Sequence, residues 1–173
     1  IAYAQYILCG NVGGDNVGEN TSCNLKFEHF SHPDLHFVFP VAGTDTVKSH
    51  AVSDNFMVEW RQFLTENPYG SLFDWLKNLG IQNKQGLIGV DEATEINKKL
   101  SLKAYEGGYK VMIIWMADKM NGSAANKLLK LLEEPPAKTV FILITESTSD
   151  MLQTILSRCQ VIDFIGLSES VIA

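Results

Sequence analysis

Two continuous runs of apolar residues stand out in the pattern along the chain. Residues 110–117 read KVMIIWMA, and residues 139–145 read TVFILIT. Neither run alternates with polar positions, which is typical of strands covered on both faces in a parallel sheet. Residues 35–41 (LHFVFPV) and 160–164 (QVIDF) predict further strands.

Between these strands, apolar residues recur at the spacing of helix faces. Ser53, Ser71 and Asp91 each precede such a stretch and are candidate N-cap residues. The chain begins at Ile1, which we interpret as the start of a fragment, inside a helix that ends near Leu8. The predicted helical segments cover residues 1–8, 54–66, 72–79, 92 to about 107, 123–134 and 150–156.

Alternation of strands and helices favours an α/β fold in three layers, with a mostly parallel sheet between helices. Residues 9–31 are polar and rich in glycine, and we expect an extended surface loop there.

Composition narrows the function classes. Hydrophobic residues make up 46% and charged residues 20%, which excludes disorder as a description of the whole chain. The net charge of −6 disfavours a freestanding nucleic-acid binder. No apolar run reaches the roughly 18 residues of a membrane span. The wide spacing of Cys9, Cys23 and Cys159 predicts free thiols in a reducing cytoplasm.

The most informative segment is residues 123–164, which reads SAANKLLKLLEEPP, then TVFILIT, then LSRCQVIDF. This order and spacing resembles the clamp-loader branch of the AAA+ ATPases, a P-loop NTPase family. The resemblance extends more weakly to LCG near Cys9, HPDLH at residues 32–36 and YEGGYKV at residues 105–111.

The resemblance implies a role for Ser157-Arg158-Cys159. In the family this arginine is a finger that reaches the ATP of the neighbouring subunit, and a guanidinium suits that role because it presents a fork of donors to phosphate. Ser157 and Cys159 are its motif neighbours, and we expect Cys159 to be a small buried residue. The alternative is that Arg158 is a surface arginine in a structural salt bridge.

The strand at residues 110–117 departs from the family pattern. An active family member ends this strand in Asp-Glu, which organises Mg²⁺ and the attacking water. Trp115 and Met116 stand at those positions, and Asp118 comes too late. An indole and a thioether supply neither function, so we expect no hydrolysis by this chain, no nucleotide cofactor of its own, and dependence on the ATP of a neighbour.

The resemblance also divides the chain. Residues 1–166 correspond to the AAA+ nucleotide-binding-like domain without its N-terminal strand and P-loop, which we expect to precede Ile1. Residues 167–173 correspond to the start of the helical lid domain.

Two metal hypotheses remain. Family members often carry a zinc module with four cysteines, but only Cys9 and Cys23 match it, and a structural zinc ion needs about four ligands, so we expect no zinc. His32, Asp34 and His36 alternate on a strand and are a candidate metal or acid–base cluster, although Pro33 disturbs the run. Thr145 ends a strand where the family places a polar group near phosphate, and without a working ATP site we interpret it as vestigial.

The sequence thus favours a non-hydrolysing subunit of the bacterial DNA polymerase III clamp loader. Its implied partners are the tau/gamma motor and delta subunits, with the sliding clamp and primed DNA met only through the assembly. The alternatives are an active AAA+ ATPase, such as a motor subunit or a branch-migration helicase, and an unrelated metal-dependent hydrolase. The implied location is the cytoplasm.

Overall fold

The computed structural model describes residues 1–10, 21–106 and 108–164. None of the helices in these ranges is long and apolar enough to cross a bilayer. The strands are β1 (Leu35–Val38), β2 (Lys110–Trp115) and β3 (Thr139–Ile144). The helices are α1 (Ala2–Cys9), α2 (Thr21–Glu28), α3 (Met57–Glu66), α4 (Leu72–Asn78), α5 (Val90–Ser101), α6 (Gly122–Glu133) and α7 (Gln153–Leu156).

The three strands form a parallel sheet in the order β1-β2-β3. Leu35 pairs with Val111 at the start of β1, and Lys110 to Trp115 of β2 pair in register with Thr139 to Ile144 of β3. β2 has a neighbouring strand on each side, so all its backbone N–H and C=O groups can form hydrogen bonds within the sheet. A continuous apolar run needs this, because a strand buried on both faces has no water to bond with.

Helices cover both faces of the sheet, which confirms the predicted three-layer α/β fold. Val111 and Ile113 of β2 join one core with the helices α1, α3 and α4. Met112 and Ile114 point to the opposite face and join a second core with α5, α6 and α7. Successive side chains of a strand alternate between faces, so one unbroken apolar strand serves two cores.

Helix starts follow the predicted caps only in part. Ser71 caps α4, and its hydroxyl accepts from the backbone N–H of Asp74. Asp91 is not a cap, because α5 begins at Val90 after Gly89, and Asp91 lies in the first turn. Ser53 begins a short 3-10 turn before α3, and its buried hydroxyl accepts from the backbone N–H of Phe39 at 3.0 Å.

The end of α5 also differs from the prediction. The helix ends at Ser101 rather than near residues 107–108. The Nζ atom of Lys110 donates to the carbonyl oxygens of Leu100 at 2.5 Å and Leu102 at 2.6 Å. An ammonium group here satisfies carbonyls at the helix C-terminus and complements its dipole, so it stabilises this end point.

The prediction of an extended loop over residues 9–31 is wrong for its second half, since α2 lies there; residues 11–20 are outside the described ranges. The prediction of free thiols is wrong for two of the three cysteines. Cys9 at the end of α1 and Cys23 in α2 form a disulfide, with Cα atoms 5.6 Å apart. Wide spacing in the sequence concealed this pair because two helices bring it together.

The strand predicted over residues 160–164 does not form. Within the described part of the chain these residues pair with none of the three strands, and Phe164 is 94% exposed. Apolar residues alone do not make a strand, because the backbone donors and acceptors need a partner. The predicted start of a lid domain, at residues 167–173, lies outside the described residues.

Candidate functional site

Apolar side chains fill the end of β2, where an active relative would carry its acidic pair. The Trp115 ring lies with its centroid 5.1 Å from that of Trp60 and 6.3 Å from that of Phe63. Met116 is buried and adopts a left-handed conformation with φ of 53°. No carboxylate stands at either position, and Trp115 packs against the core on the α3 side of the sheet.

Trp115 belongs to a larger aromatic cluster. Phe39 stacks on Trp60 with centroids 4.2 Å apart, and Trp75 contacts both rings at 5.0 Å. The indole N–H of Trp75 donates to the carbonyl of Pro40 at 2.9 Å. An ionised carboxylate at position 115 would have to lose its hydration among these rings, which is costly without a paired cation.

The nearest acidic residue after β2 is Asp118, and its carboxylate is already engaged. Thr145, which follows β3, donates its hydroxyl to Asp118 Oδ1 at 2.9 Å, and Lys119 Nζ lies 2.7 Å from Oδ2. Burial by itself would raise the pKa of the Asp118 carboxyl, but hydrogen bonds from Lys119 and Thr145 outweigh it and lower the pKa.

Asp118 and Thr145 are therefore brought together at the carboxyl edge of the sheet. Thr145 Oγ1 also accepts from the backbone N–H of Ser147 at 3.1 Å. The sequence contains a signal for this pair, since each residue follows one of the two apolar runs and parallel strands end at the same edge. The run at residues 139–145 is only half-buried as β3, whereas β2 is almost fully buried.

Arg158 lies just beyond α7, and its guanidinium is held by three groups. The Nε atom donates to Glu133 Oε1 at 2.7 Å, and Nη2 donates to the same oxygen. The Nη1 atom donates to the carbonyl of Thr154 at 2.6 Å and to Ser157 Oγ at 3.2 Å. The Arg158 side chain remains 30% exposed, so an anion from solvent or from another molecule can reach it.

The motif neighbours of Arg158 shape the turn. The Ser157 hydroxyl donates to the Thr154 carbonyl at 3.2 Å, and the Cys159 backbone N–H donates to the Leu156 carbonyl. Cys159 is a free thiol that packs partly buried against the second core, and burial raises its pKa. A neutral thiol agrees with its expected role as a small packing residue, although it is not fully buried.

The partner of Arg158 is a residue that the sequence analysis missed. Glu133 is the last residue of α6, and 25 positions separate it from Arg158. No spacing rule links residues at this distance, so only the packing of α7 against α6 reveals the pair.

His32, Asp34 and His36 do not converge on a metal ion. The Asp34 carboxylate accepts from the backbone N–H groups of Tyr105 at 2.6 Å and Glu106 at 2.9 Å. His36 lies on β1, where burial first and then the positive charge of Lys99 lower its pKa to about 4. The Asp34 carboxylate therefore holds the turn at Tyr105 and Glu106, before β2, and is not free to bind a metal ion.

Three potential zinc ligands lie close together around Cys23. Donor atoms of Cys23, His32 and Glu106 lie within 4.8 Å of one another. However, Cys23 is bonded to Cys9, and His32 Nδ1 accepts from the backbone N–H of Asp34 at 3.1 Å. A neutral His32 therefore carries its proton on Nε2, the atom that faces Glu106, and this arrangement does not fit a zinc ion. The expected absence of zinc stays a prediction.

Comparison with known proteins identifies the family. A family model described as DNA polymerase III, delta subunit, matches residues 1–168. The chain belongs to this family. Its relatives include the DNA polymerase III subunit delta' of Haemophilus influenzae, 32% identical over 92% of this chain and 36% of the relative. The delta' subunit of Escherichia coli is 42% identical over 47% of this chain and 25% of that protein.

These relatives confirm the prediction that the chain resembles a subunit of bacterial DNA polymerase III, and their names specify the delta' subunit. A crystal structure of a DNA polymerase III gamma subunit-related protein from Thermotoga maritima has a TM-score of 0.50 and 19% identity, covering 91% of this chain and 40% of that one. The two proteins therefore share a fold. The chain spans about a third of the length of the Haemophilus relative and a quarter of the Escherichia relative.

Proposed function

We propose that this chain is part of a delta-prime-like clamp-loader subunit that does not hydrolyse ATP. In this proposal Arg158 acts in trans, as an arginine finger on the ATP of a neighbouring motor subunit during loading of the sliding clamp. The proposal assigns residues 1–166 to the AAA+ nucleotide-binding-like domain and residues 167–173 to the start of the lid.

The observation that carries the proposal is the end of β2. Trp115 and Met116 occupy the positions of the acidic pair, and Trp115 is packed against Trp60 and Phe63. A site that must bind Mg²⁺ and orient water needs oxygen ligands at that point. The next acidic residue along the chain is Asp118, and its carboxylate is bound to Thr145 and Lys119.

The exposed guanidinium of Arg158 supports the second half of the proposal. A finger must be reachable by another subunit, and it must remain charged at all working pH values. Such fingers stabilise charge in the transition state of phosphoryl transfer and contribute about 10³–10⁵ in rate in GTPases.

In this proposal, ATP hydrolysis and the contacts with clamp and DNA belong to the assembled clamp loader. The proposed partners are the tau/gamma motor subunits and the delta subunit, with the clamp and primed DNA contacted through the complex. A net charge of −6 suits a subunit that does not bind DNA independently.

An active ATPase remains the second candidate, because the DNA polymerase III subunit tau of Bacillus subtilis is 40% identical over 84 residues, 49% of this chain and 15% of that protein. Measurable ATP turnover by the purified full-length protein alone would favour this candidate. We expect none.

The decisive experiment is ATP turnover by the reconstituted loader with full-length wild-type protein or the Arg158→Ala variant, in the presence of clamp and primed DNA. We expect the variant to lower turnover at least about tenfold while the complex still assembles. Arg61→Ala is the matched control, because Arg61 is the other arginine of the chain and donates to the carbonyl of Phe30 on the surface. Equal turnover in the wild type and Arg158→Ala would refute the finger.

A further inference from the structure

The donors of Arg158 are almost fully occupied within the chain. A guanidinium has five N–H donors. One on Nε and one on Nη2 bind Glu133, and the two on Nη1 bind the Thr154 carbonyl and Ser157 Oγ. Only one N–H, on Nη2, has no partner among the described residues.

This occupancy conflicts with phosphate binding in the observed conformation. A fork-shaped contact to a phosphate uses two parallel N–H groups on neighbouring nitrogen atoms. Each edge of the guanidinium that offers such a pair is already engaged, one edge by Glu133 and the other in part by Thr154 and Ser157. At least one of these partners must therefore leave before the guanidinium can grip phosphate with two donors.

Glu133 is the partner that can leave at the lowest cost. Its side chain is 46% exposed, so the freed carboxylate is rehydrated at once. The Thr154 carbonyl belongs to the last turn of α7, and it needs a donor at that helix end. An exposed ion pair contributes little free energy, so the stronger charge of a triphosphate can displace it.

Glu133 also does not stabilise its own helix. It is the last residue of α6, and Glu134 follows as the C-cap. The negative end of a helix dipole disfavours carboxylates in the last turn. The nearby positive charge of Arg158 compensates for this local disadvantage.

We infer that Glu133 is a positioning residue that competes with phosphate for Arg158. In the unassembled chain it holds the guanidinium against α6, and in the assembly the phosphate oxygens of the neighbour's ATP replace it. This inference rests on the proposed finger role of Arg158. It predicts that the negative charge of Glu133 weakens the binding of Arg158 to the neighbour's ATP.

The test measures the ATP dependence of turnover in the reconstituted loader with full-length Glu133→Gln, which keeps the shape and removes the charge. We expect the ATP concentration at half-maximal turnover to fall about two- to fivefold, with kcat unchanged. Glu134→Gln is the matched control, since it removes one charge from the next position, and it should behave as the wild type.

Two arms separate this inference from the proposed function. Loss of turnover in Arg158→Ala with no fall of the half-maximal concentration in Glu133→Gln overturns the inference and leaves the finger in place. If turnover is unchanged in Arg158→Ala, both the finger role of Arg158 and the inference about Glu133 are overturned. Glu133→Gln added to Arg158→Ala should change nothing further, and a change there would show that Glu133 acts through another group.

A direct readout is the ¹⁵N resonance of Arg158 Nε–H in the full-length protein. We expect Glu133→Gln to shift this resonance and speed its exchange with water, and Glu134→Gln to leave both unchanged. An unperturbed resonance in Glu133→Gln would show that the carboxylate does not hold the guanidinium in solution, which overturns the inference.

Discussion

The end of β2 and the corner around Arg158 differ in almost every physical respect. At the end of β2, Trp115 packs partly buried against the aromatic core beside Trp60, and Met116 is buried. At the corner, Arg158 is exposed and held by the charged side chain of Glu133 and by polar groups of α7. Substitutions in the core lower stability, whereas substitutions on the surface usually change it little. Restoring an acidic pair at the end of β2 would therefore destabilise the fold, while replacing Arg158 would not.

The largest expected effect is at the core end of this comparison. Trp115→Asp removes a ring from the aromatic cluster, and we expect the free energy of unfolding to fall by about 3–5 kcal/mol. Tyr69→Asp is the control, because Tyr69 is 98% exposed. Urea unfolding followed by tryptophan fluorescence measures both. A loss below about 1 kcal/mol for Trp115→Asp would contradict the packing of this ring against Trp60 and Phe63.

The disulfide next to the same core gives the second effect. Cys23 is buried in the core that also contains Trp60, and its bond to Cys9 closes a loop with a sequence separation of 14. We expect reduction to lower the free energy of unfolding by about 3 kcal/mol. Thiol labelling of the unfolded wild type should detect one free cysteine before reduction and three after it, as the sequence contains three. Cys159→Ser should lose the labelling before reduction and keep the full response to the reductant.

The third prediction concerns a buried acid in α5. Glu92 in α5 is 1% exposed, and its Oε2 accepts from the backbone N–H of Ser53 at 2.6 Å. Burial raises the pKa of Glu92 to about 7. Because the folded chain holds this proton more tightly than the unfolded chain, stability is highest below the unfolded pKa and falls as pH rises through 7.

We expect this group to remove roughly 2 kcal/mol of stability between pH 5 and pH 8. Glu92→Gln should lose that part of the pH dependence, as measured by urea unfolding across this range. Glu95→Gln, on the same helix but paired with Lys98 at the surface, is the control. Parallel pH profiles for Glu92→Gln and the wild type would argue against a buried neutral carboxyl.

The smallest effect on stability is expected at the corner. Arg158→Ala and Glu133→Gln each break one exposed ion pair, which contributes less than about 1 kcal/mol. Thermal unfolding should therefore place both variants close to the wild type, in contrast to Trp115→Asp. A loss above about 2 kcal/mol in Arg158→Ala would mean that the arginine is structural, as the alternative from the sequence holds.

Much of the fold could be predicted because its signals are local. The runs at residues 110–117 and 139–145 contain β2 and β3, and the leucine-rich stretch from residue 123 forms most of α6. The capping box at Ser71 and Asp74 is encoded within four residues. The strand expected at residues 160–164 failed because a strand also needs a neighbour with free hydrogen-bonding groups, and a single segment carries no information about one.

The candidate site divides in the same way. The identities at the end of β2 and the Ser157-Arg158-Cys159 motif are readable in the sequence. The disulfide, the Asp118–Thr145 contact and the Arg158–Glu133 pair join residues that are distant along the chain.

The sequence by itself determined which chemistry the chain carries: an arginine fork after α7, and no acidic pair at the end of β2. Only the tertiary structure decided what these residues contact: Trp115 packs against an aromatic core, and Arg158 pairs with the carboxylate of Glu133. The reason is that composition and periodicity act within a few residues, whereas charge pairing and burial depend on which helices pack against the same face of the sheet.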